Sequence, residues 1–168
     1  MQLLVVRHAI AEERADFARR SATDEERPLT DKGREKMKRS ARGLRRVLPS
    51  ISRLACSPLT RSTQTAAILA EEYQLSRTWE IDELRPSRPI RDFLPWLASH
   101  DEHEIVAIVG HEPYLGSLVT WLMTGMEDPA VAFKKGGALL LDFPGQVTSG
   151  AATLVWAMAP AQLRRLGE

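Results

Sequence analysis

Two histidines and two arginines of this 168-residue chain have the types and spacing to do chemistry. An apolar run, Leu3-Leu4-Val5-Val6, stops at Arg7-His8, and a second, Ile105-Val106-Ala107-Ile108-Val109, stops at Gly110-His111. Between them lies Arg61, at the end of Ser57-Pro58-Leu59-Thr60-Arg61. A neutral imidazole, with an unperturbed pKa of about 6.5, is a competent nucleophile near neutrality. Arginine stays protonated and presents a planar fork that matches phosphate oxygens in pairs. Phosphoryl transfer needs little beyond those parts: a well-placed nucleophile, and fixed positive charge on the equatorial oxygens. Either dipeptide alone reads as an ordinary solvated strand end. Two histidines at two strand tips, with a Ser-Pro-x-x-Arg segment between them, are far more specific.

The elements that must position these residues alternate between strand and helix. Unbroken apolar runs read as parallel strands buried on both faces, and ligands of open α/β sheets sit beyond the carboxyl ends of the strands. Residues 2–6 form the first strand, and residues 9–28 are an irregular polar segment with room for one short helical piece. Thr30 or Asp31 caps a helix whose stripe is Met37, Ala41, Leu44 and Leu48, and Pro49 stops it. A strand over 51–56 leads into a helix over 58–73, which places Arg61 one turn inside it. A brief strand at 79–81, a loop over 82–90 and a helix over 90–100 precede the strand ending at Val109. His111 then opens a helix near 113–123, strands follow at 138–143 and 152–158, and a short helix finishes the chain. The expected architecture is α/β: one domain over 1–168, a three-layer α/β/α sandwich on a mostly parallel central sheet. Helix starts at Arg61 and His111 would favour an anion there. Because side chains alternate along a strand, Arg7 and His8 reach one ligand only where the chain leaves regular strand geometry.

Composition excludes several classes. The chain is 43% apolar and 27% charged with a net charge of +1, so no overall field draws it to nucleic acid or membrane. No apolar run approaches the roughly 18 residues of a membrane span, and Arg7 interrupts the first run too early for a secretory signal. The single cysteine, Cys56, excludes an internal disulfide and fits a reducing compartment, so the cytoplasm is expected. Cys56 and Arg61 stand one residue too close for a cysteine-phosphatase loop, and Pro58 removes a backbone donor from it. Cys56 therefore reads as a small buried residue. His100 and His103 lie in a polar link and read as a solvated turn; no metal or cofactor is expected.

Four segments carry a family likeness: Arg7-His8-Ala9, Leu29-Thr30-Asp31-Lys32-Gly33, Ser57 to Arg61, and Gly110-His111. With them the chain resembles the histidine phosphatase superfamily, of phosphoglycerate-mutase-like fold, along essentially its whole length. In length and in Arg27-Pro28-Leu29-Thr30 it is most similar to the compact SixA-type phosphohistidine phosphatases of bacteria. The resemblance implies that His8 is the nucleophile that becomes phosphorylated, that Arg7, Arg61 and His111 cradle the phosphoryl oxygens, and that Arg27 meets the substrate. Ala9 replaces the superfamily glycine, and a positive φ there would strain an alanine. Larger relatives take a general acid from between the second arginine and the second histidine; here Glu83, before Arg85-Pro86, is the candidate, against the ordinary reading of a solvated loop charge.

A P–N bond to a protonated imidazole leaves with little help, so a phosphohistidine substrate would spare that acid. The 49 residues between Arg61 and His111 are filled by the elements named above and leave no length for a large lid. An open, shallow pocket suits a phosphorylated protein side chain, so the expected partner is a histidine-phosphotransfer or phosphocarrier domain. The alternatives are a small-molecule phosphomonoester phosphatase of the same superfamily and a non-catalytic phosphate-recognition module. Against the latter stands His8, where a binder would more naturally place another arginine. A helix face bearing Lys32, Arg34, Lys36, Lys38, Arg39, Arg42, Arg45 and Arg46 is either a solvated surface or a means of steering an acidic partner. It lacks the interleaved aromatics of a nucleic-acid site.

Overall fold

The computed structural model describes residues 1–20 and 23–168. Its strands are β1 (Gln2–Arg7), β2 (Arg53–Cys56), β3 (Trp79–Glu80), β4 (Ile105–Gly110), β5 (Ala138–Asp142) and β6 (Thr153–Met158). The α-helices are α1 (Arg14–Ala18), α2 (Asp31–Val47), α3 (Thr60–Tyr73), α4 (Phe93–Ala98), α5 (Tyr114–Thr124) and α6 (Pro160–Leu166). The strands make one sheet in the order β3-β2-β4-β1-β5-β6. Pairing is parallel from β3 through β1, and β5 runs antiparallel to both β1 and β6.

Alternation along the strands fills two cores. Leu3, Val5, Val106 and Ile108 point to the face covered by α4 and α5, where they meet Phe93, Leu97, Leu115 and Leu118. Leu4, Val6, Leu54, Ala107 and Val109 point to the other, against Met37, Ala41 and Leu44 of α2, Leu69 of α3 and Leu163 of α6. Each such side chain contributes about 1.5–3 kcal/mol by leaving water. A one-residue slip would exchange the two faces, so both cores lock the register. No helix among the described residues is long and apolar enough to cross a membrane.

That register is what makes a site. Arg7 pairs with Gly110, Val6 with Val109, and Cys56 with Val109, so three strands end at one level. The next residues emerge together: the His8 amide donates to the Gly110 carbonyl at 3.0 Å, and that of Ser57 to Val109 at 3.0 Å. The segment leaving β1 is tied to the start of α2, where Thr30 Oγ1 accepts from the Gly33 amide at 2.9 Å and the Thr30 amide donates to Ile10 at 3.0 Å. A Cβ on Gly33 would fall 2.0 Å from the Ile10 carbonyl oxygen, so this close approach admits only glycine.

Several boundaries differ from the sequence reading, three of them in the helical segments. Helix α3 begins at Thr60 rather than Pro58, because Leu59 stays extended as its N-cap; Arg61 therefore lies in the first turn. Helix α5 begins at Tyr114, so His111 precedes it instead of opening it. The 90–100 segment is a 3-10 turn, Ile90–Asp92, followed by α4, since Pro95 has no amide to continue an α-helix back to Arg91. Between α3 and β4 there are only β3, two 3-10 turns and α4, so the chain carries no large lid insertion there.

Candidate active site

His8 sits on the tip of β1 with 5% of its surface exposed. Its Nδ1 lies 2.7 Å from the Ala9 carbonyl oxygen. A carbonyl only accepts, so Nδ1 carries the proton and Nε2 holds the lone pair. Ala9 causes no strain: among the described residues, Gln74 is the one non-glycine with positive φ. Instead the Ala9 amide donates to Thr65 Oγ1 at 3.0 Å, and that hydroxyl donates to the Arg61 carbonyl at 2.7 Å. The backbone just after His8 is thereby fastened to the helix that bears Arg61.

His111, just past β4, faces His8 with ring centroids 5.0 Å apart and planes inclined by 51°. Its Nε2 is 2.9 Å from Ser57 Oγ. Arg7, the last residue of β1, donates through Nη1 to the Phe133 carbonyl. The Phe133 amide in turn donates to Glu112 Oε1 at 2.6 Å, and Glu112 Oε2 accepts from the Gly116 amide at 3.3 Å. Glu112 thus pins the 131–137 loop that holds the guanidinium, and its charge also acts on Arg7.

Arg61 is 3% exposed. It donates through Nη1 to the Asp24 main-chain oxygen at 2.9 Å, and its Nη2 lies 3.2 Å from Asp24 Oδ2. Arg27 donates through Nε to Asp24 Oδ1 at 2.8 Å and through Nη1 to the Glu12 carbonyl at 2.6 Å. Arg27 is therefore engaged with the loop, one carboxylate removed from Arg61. Burial works to raise the pKa of Asp24, but the Arg27 hydrogen bond and the charges of Arg61, Arg27 and Arg14 outweigh it and hold the carboxyl below its usual range.

Burial dominates the imidazoles. It pushes His8 down to about 3; the hydrogen bond to Ala9 opposes this and the charges of Arg61, Arg7 and Lys135 add to it. His111 falls to about 2, by burial first and then by His8 and Arg61, against the field of Asp24. Both rings are neutral at pH 7. Three buried nitrogens at this rim have no partner among the described residues: Arg7 Nε, Arg61 Nε and His111 Nδ1. Each unmet group costs about 1–3 kcal/mol, and such groups cluster where a ligand completes them. A tetrahedral oxyanion offers acceptors to both arginines, and its charge would draw a proton onto His111 so that Nδ1 donates as well.

Depressed histidine pKa values set an acid limb. Below pH 6.5 the unfolded chain takes up protons that the folded rings refuse, so folding stability falls as pH drops from 6.5 toward 3, by up to about 1.4 kcal/mol per pH unit for each ring. His8→Ala is expected to flatten this limb by about one proton's worth of slope in urea titrations between pH 7 and pH 5. An unchanged slope would mean that His8 is not held neutral.

Of the residues singled out in the sequence, the structure brings Arg7, His8, Arg61 and His111 to one rim. Glu83 lies half-buried in the 3-10 turn Asp82–Leu84, where its main-chain oxygen accepts from the Tyr114 hydroxyl at 2.5 Å. The carboxylate whose field reaches His111 is that of Asp24, which sequence reasoning missed. An i, i+3 charge pairing with Arg27 was its available signal. The contacts of Ser57 with His111 and of Glu112 with Phe133 were missed as well.

Cys56 is buried beside the site at the end of β2, and burial followed by the charge of Glu80 pushes its thiol up to about 12. It is not a thiolate at neutral pH. Cys56→Ala is expected to keep turnover within about twofold, since a buried neutral thiol supplies only packing; loss of activity by a folded variant would move the chemistry to sulfur. His100 packs on Trp96 with centroids 4.4 Å apart, and His103 is exposed beside Glu102. Among the described residues no group of three His, Cys, Asp or Glu side chains is arranged to hold a metal.

Comparison with known proteins agrees with this geometry. Residues 3–85 match the family model of the histidine phosphatase superfamily, branch 1. An uncharacterized protein of Picosynechococcus sp. is 34% identical over 143 residues, 83% of each chain. The phosphohistidine phosphatase SixA of Escherichia coli is 28% identical over 98% of this chain and 97% of its own. A solved structure of the protein histidine phosphatase SixA complexed with tungstate superposes with a TM-score of 0.83 at 27% identity, covering 97% of this chain and 99% of that one.

Proposed function

The chain belongs to the histidine phosphatase superfamily, and on that premise we propose that it removes phosphate from phosphohistidine on a protein, with His8 as the nucleophile. One observation carries this reading: three buried nitrogens without partners, on Arg7, Arg61 and His111, lie around a neutral His8 whose lone pair is on Nε2. Its tetrahedral anion has a counterpart in the tungstate of the SixA complex.

In this reading His8 Nε2 attacks phosphorus while the P–N bond to the substrate imidazole breaks. The leaving ring, protonated beforehand on its other nitrogen, departs as neutral imidazole. His8 keeps its Nδ1 proton on the Ala9 carbonyl, so the phosphorylated ring is cationic and is itself a good leaving group when water attacks. Arg7, Arg61 and a protonated His111 stabilise the oxygens at both transition states. Asp24 keeps Arg61 oriented as an ionised carboxylate, which makes it a poor proton donor at neutral pH. Arg27 serves the substrate through Asp24 rather than by direct contact. Residues 1–168 act as one catalytic domain, and the cytoplasm, where Cys56 stays reduced, is its place of work.

The absence of a long insertion between α3 and β4 supports a protein substrate over an enclosed metabolite. The direct test compares rates on a phosphohistidine protein and on an alkyl phosphate, each with wild type and Glu83→Gln. The expected result is a preference for phosphohistidine that survives Glu83→Gln, with any loss confined to the ester, whose alkoxide-like leaving group needs an acid. A strong preference for phosphomonoesters such as sugar phosphates would overturn it.

A further inference from the structure

The cations around the mouth of the site divide into two groups. On the side of the 9–28 segment and the turns before α4, each is already paired. Arg14 and Arg27 meet Asp24 at 3.2 and 2.8 Å, Arg20 meets Glu12, Arg85 meets Glu25 at 2.7 Å and Asp82 at 2.9 Å, and Arg88 meets Asp92 at 3.2 Å. On the other side Lys36 of α2, Lys135 of the loop before β5 and Arg164 of α6 line one depression with Ala9 and Ile10. Among the described residues none of these three is in an ion pair, and Glu35, the neighbour of Lys36, pairs with Lys38 at 3.7 Å. All three are half-exposed.

This depression adjoins the nucleophile directly. The Gly136 amide, next to Lys135, donates to the Arg7 and His8 carbonyls at 3.1 and 3.2 Å. Lys135 is near enough for its charge to act on His8. An incoming carboxylate on this side meets free cations, whereas on the far side it must displace one already bound.

We propose that Lys36, Lys135 and Arg164 form the docking surface for an acidic protein that presents its phosphorylated histidine to His8. The inference rests on the phosphohistidine reading and adds the partner's charge and the side from which it approaches. Rim charges of this kind act mainly by steering encounter, so they raise the association rate and make it salt-dependent. A small substrate, which needs no docking, is indifferent to them.

The test uses the full chain with two substrates, an acidic histidine-phosphotransfer domain phosphorylated on histidine and free phosphohistidine. Lys36→Glu with Arg164→Glu is expected to lower kcat/KM on the domain by about tenfold or more at low ionic strength, a difference that shrinks toward ~0.5 M salt. Turnover of free phosphohistidine stays within about twofold, because neither residue touches the reacting atoms. Lys36→Gln with Arg164→Gln gives part of the loss. Lys38→Glu with Arg42→Glu carries the same charge change on the α3 side of α2 and is expected to have little effect. The docking surface is overturned if the Glu pair leaves the domain reaction intact, slows both substrates equally, or is matched by the Lys38 and Arg42 pair, while the phosphohistidine reading stands. If the wild type turns over neither substrate, that reading fails and the docking surface falls with it.

Discussion

Replacing His8 with alanine is expected to lower kcat on a phosphohistidine substrate by ~10⁴-fold or more, with the fold retained. The magnitude follows from what is lost. In the proposed mechanism, loss of Nε2 removes the covalent intermediate, and water must attack a phosphoryl group that the arginines still bind. The remaining cradle keeps substrate affinity, so kcat falls much further than KM rises. The pairing of β1 with β4 and β5 and both hydrophobic cores are untouched, because His8 lies beyond the last paired residue, Arg7. Circular dichroism and urea unfolding at pH 7 check the fold, and single-turnover kinetics check the chemistry. A folded variant that kept turnover within about a hundredfold of wild type would exclude His8 as nucleophile.

Arg61→Lys is expected to cost ~10²–10³-fold in kcat/KM although the charge is conserved. Arg61 uses both terminal nitrogens on Asp24 and leaves Nε buried without a partner. A lysine has one compact ammonium on a flexible stem. It can hold Asp24 or reach a phosphoryl oxygen, but it lacks the rigid fork that does both. The same comparison at Arg7 is complicated by the Phe133 carbonyl, which a lysine could also meet. Recovery to within about threefold by Arg61→Lys would show that charge alone matters there.

How much of this was visible in the residues depended on burial. The runs 3–6 and 105–109 are apolar because both faces of β1 and β4 are covered, and that one pattern revealed strands, layers and the positions of both histidines. The register that levels the strand ends follows from the same burial. Helix starts were less legible: Pro58 reads as a helix residue, yet Leu59 remains extended and shifts Arg61 into the first turn.

Asp24 was invisible as a site residue because it comes from a segment with no periodicity, one charge in the run Asp24-Glu25-Glu26-Arg27. Its place is set by three arginines, one of them far along the chain. Glu112 stands next to His111, but its work depends on Phe133, which no local pattern links to it. Ser57 lay inside a segment already singled out, and only the fold shows its hydroxyl against His111. Glu83 illustrates the converse. It was chosen by position between two landmarks, and its backbone rather than its carboxylate makes the recorded bond to Tyr114.

The paired and unpaired cations at the rim have the same origin. Composition reports a net charge of +1, which describes neither side of the mouth. Folding brings carboxylates to the cations of one side and leaves those of the other bare, so the field a partner meets is a property of the surface.

Covalent trapping tests the role of His8 most directly. The enzyme is mixed with an isotopically phosphorylated histidine-phosphotransfer domain, quenched in alkali within the first turnover, digested and mapped. The expected result is one acid-labile phosphate on the peptide that contains His8, formed at least as fast as free phosphate appears and missing from His8→Ala. Phosphate released at the same rate with no label on that peptide, or with label on Cys56, would contradict it.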